Sequence, residues 1–165
     1  KKETLYNCKM VQAQDGVSVE SDTLGALLYP LEGDTFALDM VIKPERYHEF
    51  GIALHVDKEL ETGYFLRMNP KNQLVAWDMW PRGEQGRYQW QIKGDVPYQI
   101  ETARKLPKAE EYRVHIIKEK DICVVYINDE IVLSTRMYNH KDGYAGIYVV
   151  QGNVKLIQYK EKRSE

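Results

Sequence analysis

Long apolar runs are missing from this sequence, and so is any excess of one charge. The 165 residues carry 23 basic and 25 acidic side chains, for a formal net charge of −2. That balance argues against duplex nucleic acid or an anionic membrane as the main partner. No stretch approaches the roughly 20 apolar residues of a membrane-spanning helix, so no membrane insertion is expected. Cysteine is scarce. Cys8 and Cys123 sit in strand-like runs, with no second Cys or His at metal-ligand spacing. A disulfide scaffold is thereby excluded, and the pair reads as two free thiols. A bridge between them would require neighbouring strands with Cα atoms within about 7 Å. The histidines stand at 48, 55, 115 and 140, outside any HExxH pattern, and no Ser sits in a GxSxG setting. Nucleophilic and zinc catalysis therefore have no support, and neither does a phosphate-binding loop opening a helix.

A helical period is likewise absent over any long stretch, and what is present is alternation with period two. In "TFALDMVIK", Phe36, Leu38, Met40 and Ile42 share one face. "FGIALHVD" sets Phe50, Ile52, Leu54 and Val56 against Gly51, Ala53 and His55, and "GYFLRMN" sets Tyr64, Leu66 and Met68 against Phe65 and Arg67. "QLVAWDMW", "YRVHIIK", "ICVVYIN", "EIVLSTRMY", "AGIYVV" and "VKLIQYK" each read as a further strand. Turn chemistry separates them: "PKN" at 70–72, "NDE" at 128–130, "HKDGYAG" with Gly143 and Gly146, and "QGN" with Gly152. The segment "PYQIETARKLPKAEEY" reads as a loop or a single turn because of its two prolines. Residues 1–165 thus read as a single domain, all-β, folded as a two-sheet antiparallel β-sandwich of the concanavalin-like jelly-roll kind. The chain is long enough to bury about two-thirds of its unfolded surface without a staple.

Aromatic content is lopsided, with 12 Tyr and 3 Trp against 3 Phe. Tyr and Trp suit partly wetted surfaces, although many Tyr must be plain strand residues. A lectin-like glycosidase would need paired carboxylates about 5–5.5 Å apart for a retaining mechanism. "VAWDMW" supplies only Asp78, and the next best pair, Glu20 with Asp22, reads as an exposed strand face. A sugar site fits better. Neighbouring strands would place His55, Arg67, Asp78 and Trp80 on one sheet face, opposite the apolar core. A cross-strand Arg67–Asp78 pair with a purely structural role is the competing reading. The loop "DMWPRGEQGRYQWQ" adds Arg82, Tyr88 and Trp90, either as ligand contacts or as cover for the core edge. Asp34, Asp57 and Asp142 lie in turns and read as turn formers. They leave room for a structural calcium but form no EF-hand-like loop, and no other cofactor is indicated.

The stretch "KDICVVYINDEIVLSTRMYN" resembles the late hairpin of the C-terminal sandwich in glycoside hydrolase family 32, the fructan and sucrose hydrolases. Val125, Tyr126, Asn128, Thr135 and Arg136 fall into matching places, while the family's Ser-x-Val-Glu core is replaced by "ICVV". "DGYAGIYVVQGNVKLIQYK" is similar to the closing strands of that module, and "FGIALHVDKELETGYFLRMNPKNQLVAWD" to carbohydrate-binding module family 66, which binds the terminal fructose of fructans. Family 32 carries its catalytic carboxylates on a separate five-bladed propeller, which nothing here matches. The resemblance therefore implies a non-catalytic module recognising levan or inulin termini, excised from a larger bacterial glycoside hydrolase and working outside the cell or at its surface. It leaves open a structural sandwich that packs on the propeller without binding sugar.

Overall fold

The computed structural model describes residues 2–80 and 98–163, with Tyr98 by its backbone alone. The strands in chain order are β1 Thr4–Tyr6, β2 Lys9–Ala13, β3 Gly16–Pro30, β4 Thr35–Arg46, β5 Glu49–Val56, β6 Gly63–Asn69 and β7 Leu74–Trp80. They continue with β8 Tyr98–Gln99, β9 Arg104–Lys105, β10 Tyr112–Glu119, β11 Ile122–Ile127, β12 Ile131–Arg136 and β13 Tyr144–Arg163. All pairings are antiparallel, and the described residues contain no helix.

Two long bent strands organise the sandwich. The first half of β13, Tyr144–Val150, pairs with Leu24–Pro30 of β3 and with β5. Its second half pairs with Val17–Ser21 of β3 and with β4. Sheet I is thus β1, late β3, early β13, β5, β6 and β7, with β8 and β9 on the edge of β7. Sheet II is β2, early β3, late β13, β4, β10, β11 and β12. The alternation expected in "TFALDMVIK", "FGIALHVD" and "GYFLRMN" resolves into the facing inner surfaces. Leu38, Met40, Ile42, Phe50, Ile52, Leu54, Leu66 and Met68 are all at most 1% exposed. Trp77 of β7 joins them at 0%.

The hairpin at "NDE" forms as expected: Asn128 and Asp129 take φ of 52° and 56°, conformations that Asn and Asp tolerate best among non-glycine residues. One turn does not form. "QGN" does not separate two strands, and "AGIYVV" and "VKLIQYK" belong to the single strand β13. Gln151 adopts φ of 51° and makes a bulge, with the register against β3 shifting between Val150 and Gly152. The bulge bends the strand from one sheet into the other without ending it. Gly152 lies so close to β4 that a Cβ there would sit 1.8 Å from the Arg46 carbonyl oxygen. Both cysteines are free thiols, and burial pushes that of Cys123 up to about 12.

Candidate functional site

The outer face of sheet I breaks the pattern of apolar inside, polar outside. In β5 every residue from Phe50 to Val56 is buried. Ala26, Leu28, Ala53, Val56, Leu60 and Tyr148 form a second apolar cluster on that outer face, with Tyr6, Leu24, Phe65 and Val150 packed against it. The register explains how they meet. Tyr148 lies opposite Gly51 and Ala26, while Gly51 lies opposite Arg67. With no side chain at Gly51, the Tyr148 ring folds over it; a Cβ there would be 2.9 Å from Tyr148 Cε1. Tyr148 meets Phe65 edge-on at 5.5 Å between centroids, a favoured geometry for aromatic pairs.

A cleft of about 410 Å3 opens on this face. Tyr6, Leu24, Phe65, Tyr148 and Val150 give it an apolar lining, which Trp80 joins. Three carboxylates, Glu49, Glu59 and Asp78, also line it. Each is placed by a distinct device. The Tyr148 hydroxyl donates to Glu49 Oε2 at 3.0 Å. Arg67 Nε donates to Asp78 Oδ2 at 2.9 Å, and its second nitrogen reaches Gln99 Oε1 at 3.4 Å. Glu59 rides on the β5–β6 turn, which Asp57 Oδ1 holds by accepting the N–H groups of Glu61 and Thr62 at 2.7 and 3.1 Å. The Asp78 hydrogen bond is the main cause that raises the Arg67 pKa. Burial, then the neighbouring Glu49, raises that of Tyr148 well above the ordinary phenol range.

The expected site residues fare differently. Arg67 and Asp78 do form a cross-strand pair on the outer face, half-buried, with side chains 27% and 13% exposed. They stand diagonally, since Arg67 faces Ala76 and Asp78 faces Phe65. Trp80 shares their face and lines the cleft. His55 does not. Its φ of 55° and the register shift between Tyr144 and Ala145 make it a bulge residue, so its side chain turns into the sandwich. There it is 3% exposed, edge-on to Phe36 and Tyr64, with Nδ1–H donating to the Asp142 carbonyl at 2.9 Å. Arg82, Tyr88 and Trp90 lie outside the described residues. Glu20 is exposed and forms an ion pair with Arg46 at 3.7 Å. Among the described residues no group of three or more His, Cys, Asp or Glu is placed to hold a metal. Asp142 Oδ1 accepts the Gly33 N–H at 2.5 Å, so this carboxylate and Asp57 serve as turn acceptors.

Sequence reasoning missed Tyr6, Glu49, Glu59, Phe65 and Tyr148 as cleft residues. The available signal was the small outward set Ala26, Gly51, Ala53 and Gly146, which lets large neighbours lie flat over the sheet.

No family model matches the chain, and no curated protein matches it in sequence. Solved structures share its fold. A carbohydrate-binding module from Bacillus subtilis, CBM66, superposes with a TM-score of 0.79 at 17% identity, covering 97% of this chain and 94% of that one. A protein of unknown function with a galectin-like fold, also from Bacillus subtilis, gives 0.68 at 8% identity over 98% and 89%. A legume lectin-like domain from Entamoeba histolytica gives 0.65 at 10% identity over 99% and 90%. The chain therefore has the lectin-like, galectin-like antiparallel sandwich fold.

Proposed function

We propose that this chain is a non-catalytic carbohydrate-binding module, that its site is the cleft on the outer face of sheet I, and that its ligand is the terminal unit of a fructan of the levan or inulin type. The observation that carries the reading is the juxtaposition of an aromatic lining with carboxylates already held in place. Phe65 and Trp80, both partly exposed, offer ring surface to the C–H faces of a sugar over the buried Tyr148, while Glu49 and Asp78 offer acceptors to its hydroxyls. Both carboxylates are fixed by donors of the protein, so little ordering remains to be done on binding. Engaged as acceptors, they suit holding hydroxyls better than delivering a proton to a leaving group. The sandwich neighbours that bind or resemble binders of sugars agree with the class of ligand, and the sequence resemblance supports fructan in particular. In a longer protein the module would bring an attached glycoside hydrolase to its polymer.

The test is titration with levan and inulin, read by Trp fluorescence and calorimetry, together with a reducing-sugar assay. Binding of a terminal unit in the millimolar to micromolar range corresponds to about 4–8 kcal/mol. Trp80→Ala and Asp78→Asn should each weaken it at least about tenfold, a loss of about 1.4 kcal/mol. Binding unaffected by both substitutions would move the site elsewhere, and sugar release by the native chain would make it an enzyme.

A further inference from the structure

The free edges of the sandwich are not alike. β1 has three residues and β8 and β9 two each, while β2 begins with Lys9. Short strands and lysines are common means of keeping an edge from pairing with another chain. The edge strand β12, "IVLSTR", has six residues, neither Lys nor Pro, and no bulge against β11. Among the described residues nothing pairs with its outer side. Next to it, the outer face of sheet II leaves Ile117, Ile122, Tyr126 and Val132 between 37% and 46% exposed.

The segment is also complementary to itself when reversed. Glu130 precedes it and Arg136 ends it, both exposed, and neither forms an ion pair among the described residues. In an antiparallel pairing of two copies centred on Leu133, Glu130 of each stands opposite Arg136 of the other. Val132 then meets Ser134, Ile131 meets Thr135, and Leu133 meets itself. Exposed and buried residues alternate along β12, so the outward set 132, 134 and 136 continues the outer face, and Leu133 and Thr135 continue the core side. Moving the centre by half a residue, to a point between two residues, would put outward side chains opposite inward ones. Moving it by a whole residue keeps the faces matched but loses both charge pairs, since Glu130 would then meet Ser134 or Tyr138.

We propose that β12 pairs with β12 of a second copy about a two-fold axis through Leu133, joining the two sheets II into one continuous sheet. Such an interface uses the same surface on both partners and closes as a dimer. None of the paired residues lines the sugar cleft, so each copy keeps its own site open.

Sedimentation velocity over a wide concentration range tests this. The native chain should pass from monomer to dimer as concentration rises. Glu130→Arg alone, or Arg136→Glu alone, sets like charges across the axis twice and should weaken the dimer about tenfold. The double exchange Glu130→Arg/Arg136→Glu rebuilds both pairs in reverse and should restore it. In the native chain, amide exchange within β12 should slow as concentration rises, a reading that depends on no variant. A native chain that stays monomeric overturns the proposal and leaves the apolar face to another domain of a longer protein. A dimer indifferent to the single exchanges, with β12 amides unprotected, overturns it by placing the interface elsewhere.

Discussion

At the scale of single residues, His55 and Arg67 show how far a side chain's role depends on its surroundings. Burial lowers the His55 pKa from 6.5 to about 4, because the imidazolium would lose its hydration. In the unfolded chain the ring takes a proton near its ordinary value, so between those limits the unfolded state binds protons more tightly. Stability from this group is complete above about pH 6.5 and falls as pH drops toward 4, by about 1.4 kcal/mol per pH unit. Urea unfolding at pH 7 and pH 5 should show it. The stability advantage of the native chain over His55→Gln should shrink by about 2 kcal/mol at the lower pH, and a constant advantage would show that the ring protonates freely in the fold. Arg67 is a different case. It holds Asp78 at the cleft and is itself shared between Asp78 and Gln99. Arg67→Ala should cost about 1–2 kcal/mol, since a half-buried carboxylate loses its charged partner. Levan titrations should weaken with it, because Asp78 is no longer aimed. A variant that melts lower but binds as before would take Arg67 out of the site.

At the scale of elements, turn and bulge chemistry decides where each strand turns or bends. The β11–β12 hairpin depends on Asn128, whose side-chain oxygen also accepts the Arg113 N–H at 2.7 Å. Asn128→Ala forces a Cβ-bearing residue without that acceptor into the left-handed region and should destabilise by about 2 kcal/mol. Asn128→Gly removes only the acceptor and should cost about 1 kcal/mol. Thermal melts of the two variants separate the conformational part from the hydrogen bond. This hairpin was legible because its signal is local: two residues that tolerate positive φ between alternating strands. The bulges at His55 and Gln151 were not legible. Neither residue carries a local preference strong enough to announce one, and each adopts positive φ because the paired strands around it must shift register. One bulge turned a site candidate into a core residue, and the other fused two expected strands into β13.

For the molecule as a whole, one core between two sheets holds the fold together, and the turns that close it carry carboxylates already satisfied by backbone N–H groups. Asp57 and Asp142 both accept such bonds. The melting temperature should therefore be the same with and without a calcium chelator, and a clear drop on chelation would reveal an ion in these turns. The fold class, the inner faces outside the end of β5, and the shared face of Arg67 and Asp78 were legible in the sequence, because period-two alternation and turn chemistry are properties of short segments. That the outer face of sheet I carries a cleft follows from the three-dimensional arrangement. Glu49, Phe65 and Asp78 come from the consecutive strands β5, β6 and β7, but Tyr6 of β1 and Tyr148 of β13 come from opposite ends of the chain. What brings them together is strand order and register, set by how the two sheets bury their apolar faces against each other, and no segment encodes that alone.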